Sequence, residues 1–241
     1  MTVKLTLEYD GTRFHGWAIQ PGKRSVAAVL TDGLRIVTRT PDLQITVAGR
    51  TDRGVHARGQ VVSYDGPLPS LRSLNAVLPR DMGVFEAVEV PAGFNARNDA
   101  LSRSYEYRLD TRNTASSPFE RGRALWWPHA ADLEALQACA AALVGTHDFT
   151  AFTPSQGTHK RFKRTVHAAG WVREDPEHLV FEIEGQSFLR HMNRILVGTM
   201  LEVGAGRRSI DGFVSLLGGA PRSRAGVTAP ASGLYLVAVR Y

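Results

Sequence analysis

The stretch VKLTLEYDG, residues 3–11, decides how the fold begins, because its first seven residues alternate strictly between apolar and polar side chains. A period of two is typical of a β-strand with one buried face. Ser25 then precedes a segment with apolar residues at positions 26, 29, 30, 34 and 37. This spacing predicts a helix that begins after a serine N-cap. The chain therefore opens as a strand followed by a helix.

The remaining elements of the first hundred residues complete a β-α-β-β-α-β order. QITVAG (44–49) and RGQVVSY (58–64) predict two strands joined by a polar, glycine-containing segment. Ser70 is the predicted cap of a short helix that Pro79 ends, and residues 84–90 predict one more strand.

The same order starts again after residue 100. The predicted elements of this half are a strand over 105–109, a helix capped by Asp132 and ended by Gly145, a hairpin of 165–173 with 178–184, a long apolar helix from about Ser187 to Val203, a short helix over 209–217 and a strand over 234–238. Two β-α-β-β-α-β halves are the pattern of a repeated ferredoxin-like unit.

The predicted fold class is therefore α+β, with two ferredoxin-like halves whose antiparallel sheets combine into one composite sheet. Helices cover one face of such a sheet, so the two open faces form a broad surface with a central cleft. We expect the first half to span residues 1–100 and the second to span 101–241.

Composition limits the class of function. The chain has 29 Lys and Arg against 23 Asp and Glu, a net charge of +6, which indicates an anionic partner or an arginine-rich base composition of the genome. Cys139 is the single cysteine, which excludes an intramolecular disulfide and an all-thiolate zinc site, and its apolar surroundings predict a core position. The sequence shows neither a signal peptide nor a membrane-length apolar run, so we expect a soluble, cytoplasmic protein.

The densest polar cluster is AGRTDRGVHARGQV, residues 48–61, which connects the second and third predicted strands. Asp52 lies between Arg50 and Arg53, and these charges favour an ionised, oriented carboxylate. Such a carboxylate can act as a nucleophile or as a general base. An aspartate beside glycine more commonly bonds to its own loop backbone. The residues alone favour this structural role.

Five further segments change that balance, because together with this cluster they form an ordered set of motifs. GRTDRGVHARGQV resembles the GRTDxGVHAxGQV signature of the tRNA pseudouridine synthase A family. The other matching segments run in family order from residue 9 to residue 239: YDGTRFHGWAIQP, FNARNDALSRSYEYRL, GTHDFTAFT, SFLRHMNRILVG and APASGLYLVAV.

The resemblance implies an isomerase that converts uridine to pseudouridine in the anticodon stem–loop of tRNAs, at positions 38, 39 and 40, with a cleft that binds the RNA. It implies that Asp52 is catalytic, that Tyr105 stacks on the target base and that Arg194 pairs with the aspartate. Arg50 is the next candidate, as a ligand of a phosphate or of the flipped nucleotide. The family implies a homodimer, with no cofactor, no metal and no membrane.

Several of these residues also have a structural interpretation. Tyr105 alternates with Tyr107 and Leu109 and can lie on a core face, whereas Arg194 lies among apolar residues and needs an anionic partner if it is buried. The chain departs from the family pattern at a few positions, none of which removes a proposed catalytic group: Ala18, Arg53, Asn95 and Asn193.

Basic segments supply candidate phosphate contacts, because a stacked uridine must be flipped out and backbone contacts must offset that cost. These segments are HKRFKRTVH (159–167), RGR (121–123) and Arg207–Arg208. The main alternative is a non-catalytic RNA-binding protein. A metal-dependent hydrolase is a weaker one, since neither His147–Asp148 nor His159 with His167 has the spacing of a helical metal motif.

Overall fold

A computed structural model describes residues 1–156 and 161–241 as an α+β protein. Its strands are β1 Thr2–Tyr9, β2 Thr46–Val47, β3 His56–Asp65, β4 Met82–Val90, β5 Ser102–Asp110, β6 Leu125–Trp126, β7 Gly145–Asp148, β8 Lys163–Asp175, β9 His178–Gly185 and β10 Leu234–Arg240. Its α-helices are α1 Val26–Thr38, α2 Leu71–Val77, α3 Leu133–Ala142, α4 Met192–Gly204 and α5 Ile210–Val214. None of the helices in the two described ranges is long and apolar enough to cross a membrane.

The helix starts follow local capping chemistry. At each predicted cap the side-chain oxygen accepts a hydrogen bond from the amide three residues further on, which satisfies one of the amides that lack a partner in the first turn. The confirmed caps are Ser25 of α1, Ser70 of α2 and Asp132 of α3, and Ser209, predicted only as the start of a short helix, makes the same bond before α5.

Contacts divide the chain into two compact units, and unit 1 comprises Met1–Arg103 with Tyr235–Tyr241. Its sheet has the order β4-β1-β3, with β1 antiparallel to both neighbours and β2 antiparallel to the end of β3. This is the 4-1-3-2 order of a ferredoxin-like unit. The core lies between the inward side chains of β1 and those of α1 and α2, all of them buried: Val3, Leu5, Leu7, Leu30, Leu34 and Leu74.

The last strand packs in unit 1 although it follows unit 2 in the chain. Tyr235 and Leu236 of β10 pair in parallel with His56 and Ala57 of β3. The close approach needs a glycine, because a Cβ at Gly59 would lie 2.1 Å from the Val237 carbonyl oxygen. The expected division of roles between residues 1–100 and 101–241 stays a prediction.

Unit 2 comprises Ser104–Leu234 and has the sheet order β5-β9-β8-β7. The predicted hairpin is confirmed as the antiparallel pair β8 and β9, and β7 pairs with the outer edge of β8. Two fully buried residues of α3, Leu136 and Cys139, lie in the core of this unit. The full burial of Cys139 confirms its predicted core position, and this burial raises the pKa of its thiol to about 11.

Three of the differences from the predicted boundaries concern the start or end of a helix or the loss of most of a strand. The long apolar helix begins at Met192 rather than near Ser187, because the Gln186 amide still bonds to the hairpin and His191 has a φ of 61° that no α-helix contains. The helix predicted to end at Gly145 ends at Ala142, and Gly145 instead opens β7. The strand predicted over 44–49 shrinks to the two residues of β2.

Candidate active site

The loop between β2 and β3 carries Asp52 between buried residues. Thr51 and Val55, on either side of Asp52, are buried, whereas Asp52 itself is half-buried. The Val55 amide donates to the Asp52 carbonyl oxygen at 3.1 Å and closes a turn in which Gly54 has a φ of 79°. This turn fixes the backbone of Asp52 from both sides while its side chain keeps access to solvent.

A chain of buried side-chain hydrogen bonds fixes the loop from the sheet. Gln60, on β3, donates from Nε2 to the Gly49 carbonyl oxygen at 2.7 Å and to the Tyr9 hydroxyl at 3.2 Å. The Tyr9 hydroxyl lies 2.7 Å from Thr51 Oγ1. Burial raises the pKa of Tyr9 to about 12, so the phenol stays protonated and can donate to Thr51 while it accepts from Gln60.

The YDG–GW segment packs directly behind this loop. A Cβ at Gly11 would lie 2.0 Å from the Val55 carbonyl oxygen, and one at Gly16, whose φ is +87°, would lie 3.0 Å from the Thr51 carbonyl oxygen. The Trp17 amide donates to that same Thr51 oxygen at 3.0 Å. Two motifs that lie far apart in sequence therefore form one backbone-to-backbone contact.

His56 of the GVHA segment has a structural position. It is 3% exposed, its ring stacks on Tyr235 at 4.6 Å between centroids, and its Nδ1 lies 3.1 Å from the Gly11 amide. Because an amide can only donate, Nδ1 is the acceptor in that contact, and it also lies 3.3 Å from Asp10 Oδ1. Arg50 and Arg53, in contrast, are exposed side chains on either side of Asp52.

Arg194 lies in the first turn of α4 in unit 2 and is half-buried. Its Nε donates to the Ala229 carbonyl oxygen at 2.8 Å, and the Ala229 amide donates to the Arg194 carbonyl oxygen at 3.1 Å. The segment around Ala229 lies against the helix, since a Cβ at Gly198 would be 2.0 Å from the Val227 carbonyl oxygen. Arg194 therefore makes two hydrogen bonds to one residue, and the bond from Nε orients the guanidinium plane.

Tyr105 projects from β5 of the same unit and is 9% exposed. Its ring meets the edge of Phe188 at 5.1 Å between centroids and an interplanar angle of 76°. Tyr107, two residues on, is fully buried and donates from its hydroxyl to the Pro230 carbonyl oxygen at 2.8 Å. Burial raises the pKa of Tyr107 far above its ordinary value, and the charge of Arg194 opposes part of that rise.

The basic segments differ in how their side chains are engaged. Arg121 and Arg123 are exposed, and the Arg207 guanidinium lies 5.9 Å from the centre of the Trp127 ring. Arg208, by contrast, forms an ion pair with Glu202 at 2.9 Å. Of the segment 159–167, Arg161 and Lys163 are exposed, whereas His159 and Lys160 lie outside the described residues.

No three His, Cys, Asp or Glu side chains within the described ranges come together in a way that could bind a metal ion. His147 Nε2 lies 3.1 Å from the Val144 carbonyl oxygen, just beyond the end of α3. Val144 is the second residue after α3, so this bond holds His147 against the turn that follows the helix. The pairing of His159 with His167 cannot be described, because His159 lies outside those ranges.

The structure thus places Asp52 and Arg50 in unit 1, and Tyr105 and Arg194 in unit 2. Sequence reasoning did not identify Tyr9 and Gln60 as supports of the Asp52 loop. A signal for Tyr9 exists, since it continues the inward face of β1 and directly precedes the YDG motif. Gln60 carries no comparable signal, because a glutamine in a strand is usually a solvent-facing residue.

Comparisons with known proteins give the class first. A family profile described as tRNA pseudouridine synthase matches residues 139–241. Among solved structures, a chain from a Cbf5–Nop10–Gar1 complex is 10% identical, covers 82% of this chain and 54% of its own length, and has a TM-score of 0.36. A TM-score that low carries no argument, and the profile matches less than half of the chain, so the class, a pseudouridine synthase, rests on relatives that match over nearly the full length.

Full-length relatives then give the family. A tRNA pseudouridine synthase A from Lacticaseibacillus casei (strain BL23) is 42% identical over 245 residues, which are 99% of this chain and 98% of the relative. Proteins of that name from Latilactobacillus sakei subsp. sakei and Myxococcus xanthus are each 41% identical, cover 99% of this chain, and are themselves covered to 98% and 91%. The chain belongs to the tRNA pseudouridine synthase A family, which isomerises uridine to pseudouridine in tRNA.

Proposed function

We propose that this protein isomerises uridine to pseudouridine at positions 38, 39 and 40 of the tRNA anticodon stem–loop, with Asp52 as the catalytic carboxylate. The observation that carries the proposal is the setting of Asp52 in a chain that belongs to this family. Its neighbours Thr51 and Val55 are buried and bonded, and Asp52 alone among the three keeps partial exposure. A carboxylate positioned in this way can meet a nucleotide without moving its backbone.

The reaction exchanges one glycosidic bond for another. The N1–C1′ bond of uridine breaks and a C5–C1′ bond forms, C5 loses its proton, and N1 gains one, so no electron donor or acceptor takes part. The Asp52 carboxylate can attack C1′, add to C6 of the uracil, or remove the 2′ proton to give a glycal. All three routes need the carboxylate within bonding distance of the nucleotide, and they stay open.

Three further residues complete the proposed site. Arg194 is proposed as the cationic partner of the Asp52 carboxylate, because a half-buried guanidinium oriented by the Ala229 carbonyl suits a single anion. Tyr105 is proposed to stack on the target base, with the edge of Phe188 fixing the plane of its ring. Arg50, exposed beside Asp52, is proposed to bind a phosphate or the flipped nucleotide.

RNA binding is proposed to involve the whole charged surface. The net charge of +6 and the exposed basic side chains favour contacts with phosphates rather than base-specific recognition. The composite sheet with a central cleft, the homodimer and the cytoplasmic location belong to this proposal. A homodimer is tested directly by light scattering of the purified protein, and a monomeric mass at assay concentration would remove that part.

The deciding experiment measures tritium release from tRNA that carries 5-tritiated uridine, because C5 loses its hydrogen in every route. We expect Asp52→Asn to fold, to bind tRNA like the wild type and to release no tritium. Asp42→Asn is the matched control, since Asp42 is an exposed aspartate in the loop before β2. For Arg194→Ala we expect turnover to fall by more than tRNA affinity does.

The same measurement separates the alternatives. Full tritium release by Asp52→Asn would remove the catalytic assignment. If the wild type binds tRNA but releases no tritium, the protein is a non-catalytic RNA-binding protein. Release that stops on addition of EDTA would support a metal-dependent reaction. Mapping of the product nucleotides in unmodified tRNA then tests the three positions.

A further inference from the structure

A cavity of about 490 Å³ in unit 2 is lined by none of the residues proposed as catalytic. Its lining includes three basic residues. Arg161 precedes β8, and Lys163 and Arg164 are its first two residues. Gln186 and Ser187, which directly follow β9, supply polar groups to the same cavity. Charge and hydrogen-bonding capacity therefore converge on one concave surface.

Arg164 lines this cavity and has a buried N–H group without a hydrogen-bond acceptor in the described part of the chain. The side chain is half-buried, and its Nη1 donates to the carbonyl oxygens of Arg161 and Lys163 at 3.0 and 2.7 Å. Its Nε is buried and has no hydrogen-bond partner in the described part of the chain. Burial also lowers the pKa of the Arg164 guanidinium from its ordinary value, because the charged form has lost part of its hydration.

Three basic side chains line the cavity with one carboxylate, Asp148. Asp148 lines the cavity, but its Oδ1 accepts from both the amide and the hydroxyl of Thr150, at 3.0 and 2.6 Å. Within the described residues, Arg164 forms no ion pair with a carboxylate. A partly buried guanidinium without a counter-charge is destabilising unless an anion binds beside it.

We propose that this cavity is a phosphate site, which takes one backbone phosphate of the RNA substrate through the guanidinium of Arg164 with Arg161 and Lys163 around it. Planar N–H donors and a surrounding positive charge match a phosphodiester, and the flanking Ser187 hydroxyl and Gln186 amide can bond to its oxygens. That the phosphate belongs to an RNA rests on the proposed function, whereas the binding of a phosphate in the cavity does not.

The place of the cavity in the chain indicates which phosphate binds. Ser187 lines it, and the next residue, Phe188, packs against Tyr105 at 5.1 Å between ring centroids. If Tyr105 stacks on the target base, a phosphate in the cavity belongs to a nucleotide close to the flipped one. The site would then restrain the backbone on one side of that nucleotide and help to offset the cost of unstacking it.

The test replaces individual charged phosphates of a synthetic anticodon stem–loop RNA by neutral methylphosphonates, one at a time. Affinities are measured for the wild type, Arg164→Gln, Arg164→Lys and Arg173→Gln. Arg173 is the control, because it is an exposed arginine on the same strand, outside the cavity. We expect Arg164→Gln to bind about tenfold more weakly and with a salt slope smaller by about 1, whereas Arg173→Gln changes neither.

The proposal requires a specific coupling. In the wild type one methylphosphonate position near the target uridine must weaken binding about tenfold, and in Arg164→Gln that same position must have no further effect. Equal losses in both proteins, or no sensitive position in the wild type, would overturn it. If 100 mM inorganic phosphate alone raises the Tm of the wild type but not of Arg164→Gln while no RNA position couples, the cavity binds free phosphate and the RNA assignment is wrong.

Failure of the phosphate site can be told apart from failure of the proposed function. Tritium release by the wild type tests the reaction and does not depend on Arg164. For Arg164→Gln we expect an increased KM with kcat nearly retained, because the residue binds the backbone and takes no part in the bond exchange. An unchanged Tm, or a higher one, in Arg164→Gln would show that the variant is folded.

Discussion

The two units position their proposed site residues by different means. In unit 1, Asp52 lies on a loop whose backbone is fixed by buried polar side chains, above all Tyr9 and Gln60. In unit 2, Arg194 lies on a regular helix and is oriented by the carbonyl of one adjacent segment, at Ala229. The loop depends on side-chain hydrogen bonds, whereas the helix supplies its own backbone bonds and the segment at Ala229 orients the Arg194 side chain.

Both units nevertheless share one device, which is a glycine that allows two backbones to touch. Gly11 does so against the Asp52 loop, and Gly198 does so against the segment that contacts Arg194. In each case the atom in the way of a Cβ is a carbonyl oxygen at 2.0 Å, from Val55 and Val227 respectively. The difference between the units therefore concerns how the site residue is oriented, and the similarity concerns how closely its surroundings pack.

The largest effect should come from filling these two contacts. We expect Gly11→Ala and Gly198→Ala each to lower the free energy of unfolding by about 3 kcal/mol or more, because backbone rather than a side-chain tip must move. Gly33→Ala in α1 is the control, since its Cβ would meet side chains rather than backbone, the nearest being Leu78 at 3.1 Å. Urea unfolding compares the three, and a Gly198→Ala protein as stable as Gly33→Ala would contradict the shared device.

Removal of one buried tyrosine hydroxyl from each unit tests whether the two units orient their site residues differently. Tyr9→Phe breaks the bonds to Gln60 and Thr51, and Tyr107→Phe breaks the bond to Pro230, so we expect each to cost about 1–3 kcal/mol of stability. Only Tyr9→Phe should also lower kcat, because its network reaches the residue beside Asp52. The measurement is tritium release under conditions where both variants are folded. Equal losses of kcat would show that the polar network has no special role.

Alkaline pH should weaken unit 1 through its buried phenols. Burial raises the pKa of both Tyr9 and Tyr64 to about 12, whereas an unfolded tyrosine titrates near about 10. The unfolded state therefore loses these protons first, and stability that is fully present below about pH 10 is lost as pH rises towards about 12. Each phenol contributes a slope of up to about 1.4 kcal/mol per pH unit. Urea unfolding at several pH values should show a shallower slope for Tyr9→Phe, and an unchanged slope would contradict the assignment.

The smallest effect concerns a polar residue beside Arg194. Asn193 is 5% exposed, and its Oδ1 has no hydrogen-bond partner in the described residues. Asn193→Leu should raise the free energy of unfolding by about 1 kcal/mol, because a buried amide oxygen without a partner is unfavourable. Calorimetry compares the two proteins, and tritium release should be unchanged. A loss of stability would show that this oxygen has a role in the fold.

The sequence predicted those features that depend on neighbouring residues. The helix starts at Ser25, Ser70 and Asp132 were predictable because a capping side chain bonds to an amide only three residues away. The strand β1 was predictable from its alternation, and Asp52 was singled out by the residue types around it. The start of α4 was not, because a local apolar pattern shows neither the bond of Gln186 to the hairpin nor the left-handed conformation of His191.

The surroundings of each candidate residue were decided only by the tertiary structure. Sequence by itself determined the α+β class, the order of elements and the candidate set, since each depends on local periodicity or on a motif. It did not determine that Tyr9 and Gln60 fix the Asp52 loop, or that the last strand pairs with β3. Such contacts join residues that are tens of positions apart, and only the packing of the folded chain brings their atoms within bonding distance.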